Sequence, residues 1–390
     1  MVKLWTGRYK DLDVGTEDYE ISPHIWSVIA ESWAFWFMYI APIVLQGRFK
    51  APKYYKHACA LGEIMRISSQ FEISDQDVEV LREKIIKWVE KYEKYYYQYK
   101  EERLPACPLT IHGLLHLPDD IKYCGPSWTS WTFYVERFCG HLKTVLRSRV
   151  QPWSNLNEHV RRLSMLGLLS VKYDLDEELA STRVNKRFSR GERVYPEYPH
   201  SILRIPCQRS YPPDRYLRGR IADHFLRVLS RHGATRDAIR KNLPEAMSLW
   251  GKVRIANGGD YIRTVWAMDH SMSPGRDCSF VRYELMAEQH RGIFQRKVYY
   301  GQLLHILVCE LPASEFWGAQ LGGKRYILAH IKPAITGNKD ATEEVVSYQN
   351  FRESAVIDLQ AIMAVVGRVL TRDKWGIIDR KPVVDIDGDA

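Results

Sequence analysis

Apolar residues recur every three or four positions through the first part of this chain, and after Trp250 they gather in short runs separated by turns. A period near 3.6 and a period of 2 cannot share one element, so the two parts must fold as different layers. The helical signal is clearest over 75–100. There Val78, Leu81, Ile85, Trp88, Tyr92, Tyr95 and Tyr99 make one stripe facing a core. Ser74, ahead of Asp75 and Asp77, predicts the N-cap and acidic first turn of that helix. Further helices are expected over 23–45, 54–69, 108–117 (ended by Pro118), 131–147 and 218–232, the last with Ile221, Phe225 and Leu229 on one stripe. Strands are expected over 252–255, 261–267, 279–284, 298–310, 326–331, 356–359 and 365–369. Asn257-Gly258-Gly259-Asp260 supplies a turn between the first two.

At 390 residues the chain is too long for one ordinary core. Prolines at 196, 199, 206, 212 and 213 exclude long regular elements between 181 and 215, which makes that stretch the expected boundary. The expected fold is therefore α+β, with a mainly helical N-terminal part and a small C-terminal β-barrel-like domain. Its divisions are 1–180, a basic Pro-rich linker with short helices at 181–245, and 246–390. The apolar run 33–45 carries Pro42 and is too short to span a bilayer, so a buried helix is expected and no membrane partner. Seven scattered cysteines without a C-x-x-C pair argue for a reducing compartment, cytosol or nucleus.

The net charge of +9 is unevenly spread. From Arg137 to Lys241 there are 22 Lys and Arg against 10 Asp and Glu, while the remainder is slightly acidic. A localised basic excess suits a polyanion, nucleic acid first, although an arginine-rich solvated face has the same composition. Arg137, Lys143, Arg147, Arg149, Arg183, Lys186, Arg187, Arg190 and Arg193 are the candidate DNA contacts. Nothing in the chain has the form of a P-loop, a dinucleotide fingerprint or a nucleophile elbow, so no small-molecule substrate is expected.

Chemistry concentrates between Cys107 and Lys143. His112 and His116 stand four apart, flanked by Cys107 and Cys124. The spacing lacks the paired form of a zinc site, so packed or hydrogen-bonded helix histidines are the favoured reading and no bound metal is expected. Glu136 sits among aromatics and is followed by Arg137. A carboxylate there serves either as a ligand for a divalent metal in phosphoryl transfer or as half of an ion pair.

The stretch LTIHGLLHLPDDIKYCGPSWTSWTFYVERFCGHLK resembles a region near the C-terminal end of CACTA-type (En/Spm-like) transposases, fungal members most closely. LWTGRYKDLDVGTEDYEI, FEISDQDVEVLREKIIKWVEKYEKYYYQY, WGKVRIANGGDYIRT, CSFVRYE, YYGQLLHIL and WGIIDR extend that resemblance over nearly the whole chain, more loosely beyond Arg215. The resemblance implies a nuclear, transposon-derived DNA-binding protein. It also implies a DDE-type chemistry in which three acidic residues on an RNase H-like fold hold two metal ions, with Glu136 the candidate third carboxylate. The first two aspartates would lie upstream of a segment like Leu4–Ile21. The expectation is thus a C-terminal portion without strand-transfer activity alone, with no cofactor unless upstream aspartates complete a Mg²⁺ site, because hard cations need several oxygen ligands. The C-terminal block, with YYGQLLHILVCEL, KRYILAHIKPA and DLQAIMAVVGRV, is similar in rhythm to bromo-adjacent homology modules. That similarity implies a chromatin or protein-interaction module as the alternative function.

Overall fold

The computed structural model describes Trp5 and residues 33–130, 132–145, 152–175, 191–229, 235–256, 259–269, 276–290 and 293–380. The chain divides into two compact units, Met1–Arg187 and Phe188–Ala390. The first is helical and the second is built on a curled antiparallel sheet, so the fold is mixed α+β.

In the helical unit, α1 (Trp33–Phe35) runs through a π turn (Trp36–Ile40) into α2 (Ala41–Val44). Pro42 lies in the first turn of α2, where a missing N–H costs nothing. Trp36, Phe37, Ala41, Ile43 and Leu45 are buried, while Trp33 and Phe35 remain partly in water. Among the described residues no helix is long and apolar enough to cross a membrane. α3 (Pro52–Ser68) and α4 (Asp75–Tyr92) follow. Ser74 caps α4 reciprocally: its Oγ accepts the Asp77 N–H, and the Asp77 carboxylate accepts the Ser74 N–H. Leu81, Ile85, Trp88 and Tyr92 of α4 share one core with Ala58, Leu61 and Ile64 of α3. Gly62 lets α3 approach the π turn closely, since a Cβ there would sit 2.5 Å from the Phe37 carbonyl oxygen.

The apolar stripe of α4 stops short of its expected end. A second π turn (Glu93–Tyr97) closes with the Gln98 N–H donating to the Glu93 carbonyl at 2.7 Å. The wider turn shifts the helical face. Tyr96 takes the core position at 0% exposure, and Tyr99, at φ 56°, is 65% exposed. Trp5 Nε1–H donates to the Tyr96 hydroxyl at 3.0 Å. Beyond lie α5 (Leu109–Gly113), a 3₁₀ turn (Leu114–His116), α6 (Leu117–Cys124), α7 (Phe133–Val145) and α8 (Pro152–Tyr173). Pro118 does not break the chain as expected, because it occupies the first turn of α6; Gly125, at φ 83°, ends that helix.

The second unit begins earlier in sequence than expected. β1 (Glu192–Tyr195) and β2 (Tyr198–Tyr211) form a hairpin inside the stretch expected as a linker. The prolines there fall where a strand tolerates them. Pro196 is in the hairpin turn, Pro199 near the start of β2, Pro212 and Pro213 after its end. Pro206 sits at the bulge between the pairs Arg204↔Lys252 and Cys207↔Trp250, where no ladder N–H is needed. Next come α9 (Arg215–Val228) and α10 (Arg236–Asn242), capped by Asp214 and Thr235. Ile221, Phe225 and Leu229 are all buried, as their spacing predicts.

β3 (Met247–Ile255), β4 (Tyr261–Arg263), α11 (Val265–Asp269), β5 (Phe280–His290), β6 (Ile293–Glu310), α12 (Gly318–Leu321), β7 (Arg325–Pro333), β8 (Ser347–Tyr348), β9 (Ala355–Asp358), β10 (Ile362–Val365), β11 (Gly367–Thr371) and β12 (Lys374–Ile378) complete the unit. The strand expected over 261–267 ends at Arg263. Thr264 then caps α11 through its Oγ and the Ala267 N–H. β3 and β4 pair across the expected Asn-Gly-Gly-Asp turn; Asn257 and Gly258 lie outside the described residues. The main sheet runs β1-β2-β3-β6-β5-β10, with β4 on β3 and β7 linking β6 to β9; β11-β12-β8 form a smaller one.

One face of the main sheet buries Leu203, Trp250, Val281, Ile306 and Ile331 together. Leu249, Leu307 and Leu328 pack with Leu217, Ile221 and Phe225 of α9. A third cluster joins Phe280 and Tyr300 to Tyr348, Val366 and Ile377. At its edge the Tyr300 hydroxyl donates to Asp379 at 2.8 Å, and Arg282 faces the same carboxylate at 3.5 Å. Tyr198, at the start of β2, donates to Asp358 at 2.7 Å, across 160 residues of sequence.

Candidate nucleic-acid interface

Glu136, Arg137 and Lys143 all stand on α7, and all three are exposed. Among the described residues none of the three side chains has an ion pair or hydrogen bond, so the ion-pair reading of Glu136 and Arg137 has no contact behind it. The neighbourhood is also apolar and open. Val135 and Phe138 of α7, and Trp153, Leu168 and Val171 of α8, are each more than two-fifths exposed. Arg147, Arg149, Arg183, Lys186, Arg187 and Arg190 lie outside the described residues, as does the Leu4–Ile21 segment apart from Trp5. Arg193 is on β1, exposed, with its guanidinium 4.6 Å from the centre of the Tyr195 ring. It thus belongs to the second unit, whereas Arg137 and Lys143 belong to the first.

The Cys/His stretch does not gather. His112 and His116 bring their Nε2 atoms to 3.2 Å at the surface, and Cys107 and Cys124 are exposed. Asp119 is taken by Arg82 at 2.6 Å, which holds its carboxyl below the usual aspartate range. Among the described residues no three His, Cys, Asp or Glu side chains converge as a metal ion needs, around Glu136 or elsewhere.

A basic groove lies elsewhere in the same unit, between α3 and α4. It has a volume of about 250 Å³ and is walled by Lys53 and Lys56 on α3 and by Lys84, Lys87 and Lys91 on α4. Its floor includes His57 and Trp88, stacked 4.6 Å apart at 9°. His57 Nε2–H donates to the Trp88 carbonyl, and Trp88 Nε1–H donates to the His57 carbonyl, each at 3.0 Å. Burial pushes the His57 imidazole down to about 4, so it is neutral near pH 7. These lysines lie outside the basic middle of the sequence. The spacing 84, 87, 91 is the one signal that sets three of them on a single helical face.

In the sheet unit a chain of polar groups joins three elements through Ser354. His305 Nδ1 on β6 meets His330 Nδ1 on β7 at 3.0 Å, and His330 Nε2 meets Ser354 Oγ at 2.7 Å. Ser354 Oγ–H in turn donates to Tyr216 on α9 at 3.2 Å. The chain ties β6, β7 and α9 together.

Comparison with models of protein families, with curated proteins and with solved structures found no match to this chain.

Proposed function

We propose that this chain is a transposon-derived, nuclear DNA-binding protein, the C-terminal part of a DDE-type transposase that lacks strand-transfer activity by itself. The observation that supports this most is the state of α7. Its Glu136, Arg137 and Lys143 are presented to solvent without partners among the described residues, on an element that also keeps Phe138 and Val135 in water. Cations spent on no internal pair are available to phosphates, and an apolar surface left open suits assembly with further protein. Glu136 alone offers too few oxygens for a two-metal centre, so any Mg²⁺ chemistry would need further carboxylates.

The test is duplex DNA binding across a salt series. Each cation that neutralises a phosphate releases a counterion, so log affinity should fall with log salt at about 0.9 per contact. Replacing Arg183, Lys186, Arg187, Arg190 and Arg193 with alanine should weaken binding and flatten that slope without moving the thermal transition. Absence of binding by the parent chain sinks the reading. Metal-dependent nicking that is lost in Glu136→Gln would instead show a complete catalytic site.

A second reading has one observation in its favour. A cavity of about 340 Å³ in the sheet unit has Tyr198, Ile262, Leu359 and Ile362 in its lining and Met363 at its rim. An apolar cavity on a curled sheet suits capture of a protein segment, as in the chromatin-module alternative.

A further inference from the structure

The groove between α3 and α4 gathers more positive charge than its surroundings neutralise. Lys84 pairs with Glu63 at 2.9 Å, and Lys87 pairs with Glu83 at 3.3 Å on the open surface. Lys53 lies over the rings of Tyr54 and Tyr95, at 4.8 and 5.3 Å. Lys56 and Lys91 have no partner among the described residues, and Glu63 is the one carboxylate lining the groove there. Ammonium groups on facing walls repel, and a bound polyanion relieves that repulsion.

The spacing narrows the kind of anion. Along α4 the lysines rise about 4.5 Å and then about 6 Å, and the pair on α3 rises about 4.5 Å. This is a ladder of charges that a flexible chain of phosphates can follow, rather than one focus for a single small anion. The floor narrows it further. Trp88 and His57 are each 2% exposed and stacked on one another, so they offer no open face to a base. Tyr95, the other ring lining the groove, lies under Lys53 Nζ at 5.3 Å, so contact is left to the lysines.

We propose that this groove binds a chain of phosphate groups, the backbone of a nucleic-acid strand or a free polyphosphate, through its lysine walls and without reading bases. The proposal rests on the DNA reading only for the source of the phosphates.

The experiment uses the full chain and two triple variants. One is Lys56→Gln, Lys87→Gln and Lys91→Gln. The other removes the same charge from exposed positions of the sheet unit outside the basic middle of the sequence, Lys324→Gln, Lys339→Gln and Lys374→Gln. Binding of a single-stranded oligonucleotide, a duplex and inorganic polyphosphate is followed against salt, with thermal midpoints as the check on folding. The groove variant should lose about two to three units of salt slope for the nucleic acid it contacts, and about tenfold or more in affinity at low salt. The control variant should stay within about twofold of the parent. A groove variant that binds all three probes like the control overturns the proposal, and leaves the DNA reading standing if the parent binds DNA. Polyphosphate bound through the groove by a chain that ignores DNA upholds the groove and overturns the DNA reading. A parent that binds none of the probes overturns both.

Discussion

His57 and His330 are held where water hardly reaches, each with a hydrogen bond at its Nε2. Burial is the main cause that takes both from an ordinary value of 6.5 down to about 4; for His330 the neighbouring His305 adds to it. Between those two pH values the unfolded chain binds more protons than the folded one. Stability contributed by these rings is complete above about 6.5, falls as pH drops through the window, and levels off below about 4. The slope is at most about 1.4 kcal/mol per pH unit for each histidine. Urea midpoints measured from pH 7 to pH 4 should decline accordingly, and NMR should place both ring titrations near pH 4. A ring titrating near 6.5 would mean that it is solvated in the folded chain. The lysine groove shows why single residues are hard to assign from sequence. Lys84, Lys87 and Lys91 declare a common face by their spacing, but nothing in the sequence says that Lys53 and Lys56 stand opposite. That requires α3 to pack on α4.

Among the elements, α3 carries a closely overlaid glycine, Gly62. A glycine inside a helix ordinarily costs about 1 kcal/mol relative to alanine, so Gly62→Ala would be expected to stabilise. Here the added Cβ would lie 2.5 Å from the Phe37 carbonyl oxygen, a backbone atom that cannot swing aside. Overpacking of this kind costs about 1–3 kcal/mol, which outweighs the gain in propensity. Gly62→Ala should therefore lower the denaturant midpoint, and an increase would show that the π turn yields easily. Other elements differ in how openly the sequence declares them. α4 and α9 are legible, because a cap and a 3.6-residue stripe agree. The end of α4 is not, since a π turn leaves no periodic signature and exchanges Tyr99 for Tyr96 in the core. β2 is hidden by its prolines, which forbid a regular ladder but not one that bulges at Pro206. The ERFCG stretch is legible as a helix; its exposure is not, because an aromatic residue suggests burial and α7 keeps Phe138 outside.

For the whole molecule, the boundary lies near 188, and this sets which fragment can stand alone. A fragment of 246–390 would lack β1 and β2, which supply Tyr195, Tyr198 and Leu203 to one core, and α9, which supplies Leu217, Ile221 and Phe225 to another. It should be insoluble or lack a cooperative thermal transition. A fragment of 188–390 should be soluble and melt in one step; similar behaviour of the two would mean that the β1–β2 hairpin is dispensable. The long-range bonds of this unit also bear on how it is made. Tyr198 waits for Asp358, and Tyr300 and Arg282 wait for Asp379. A ribosome adds roughly 5–20 residues each second, so Tyr198 remains without Asp358 for on the order of ten seconds or more. Contacts so distant in sequence also close slowly once the chain is complete. Until β3 emerges the β1–β2 hairpin presents an unpaired edge to its surroundings, and the cell's chaperones are its natural company until Asp358 follows.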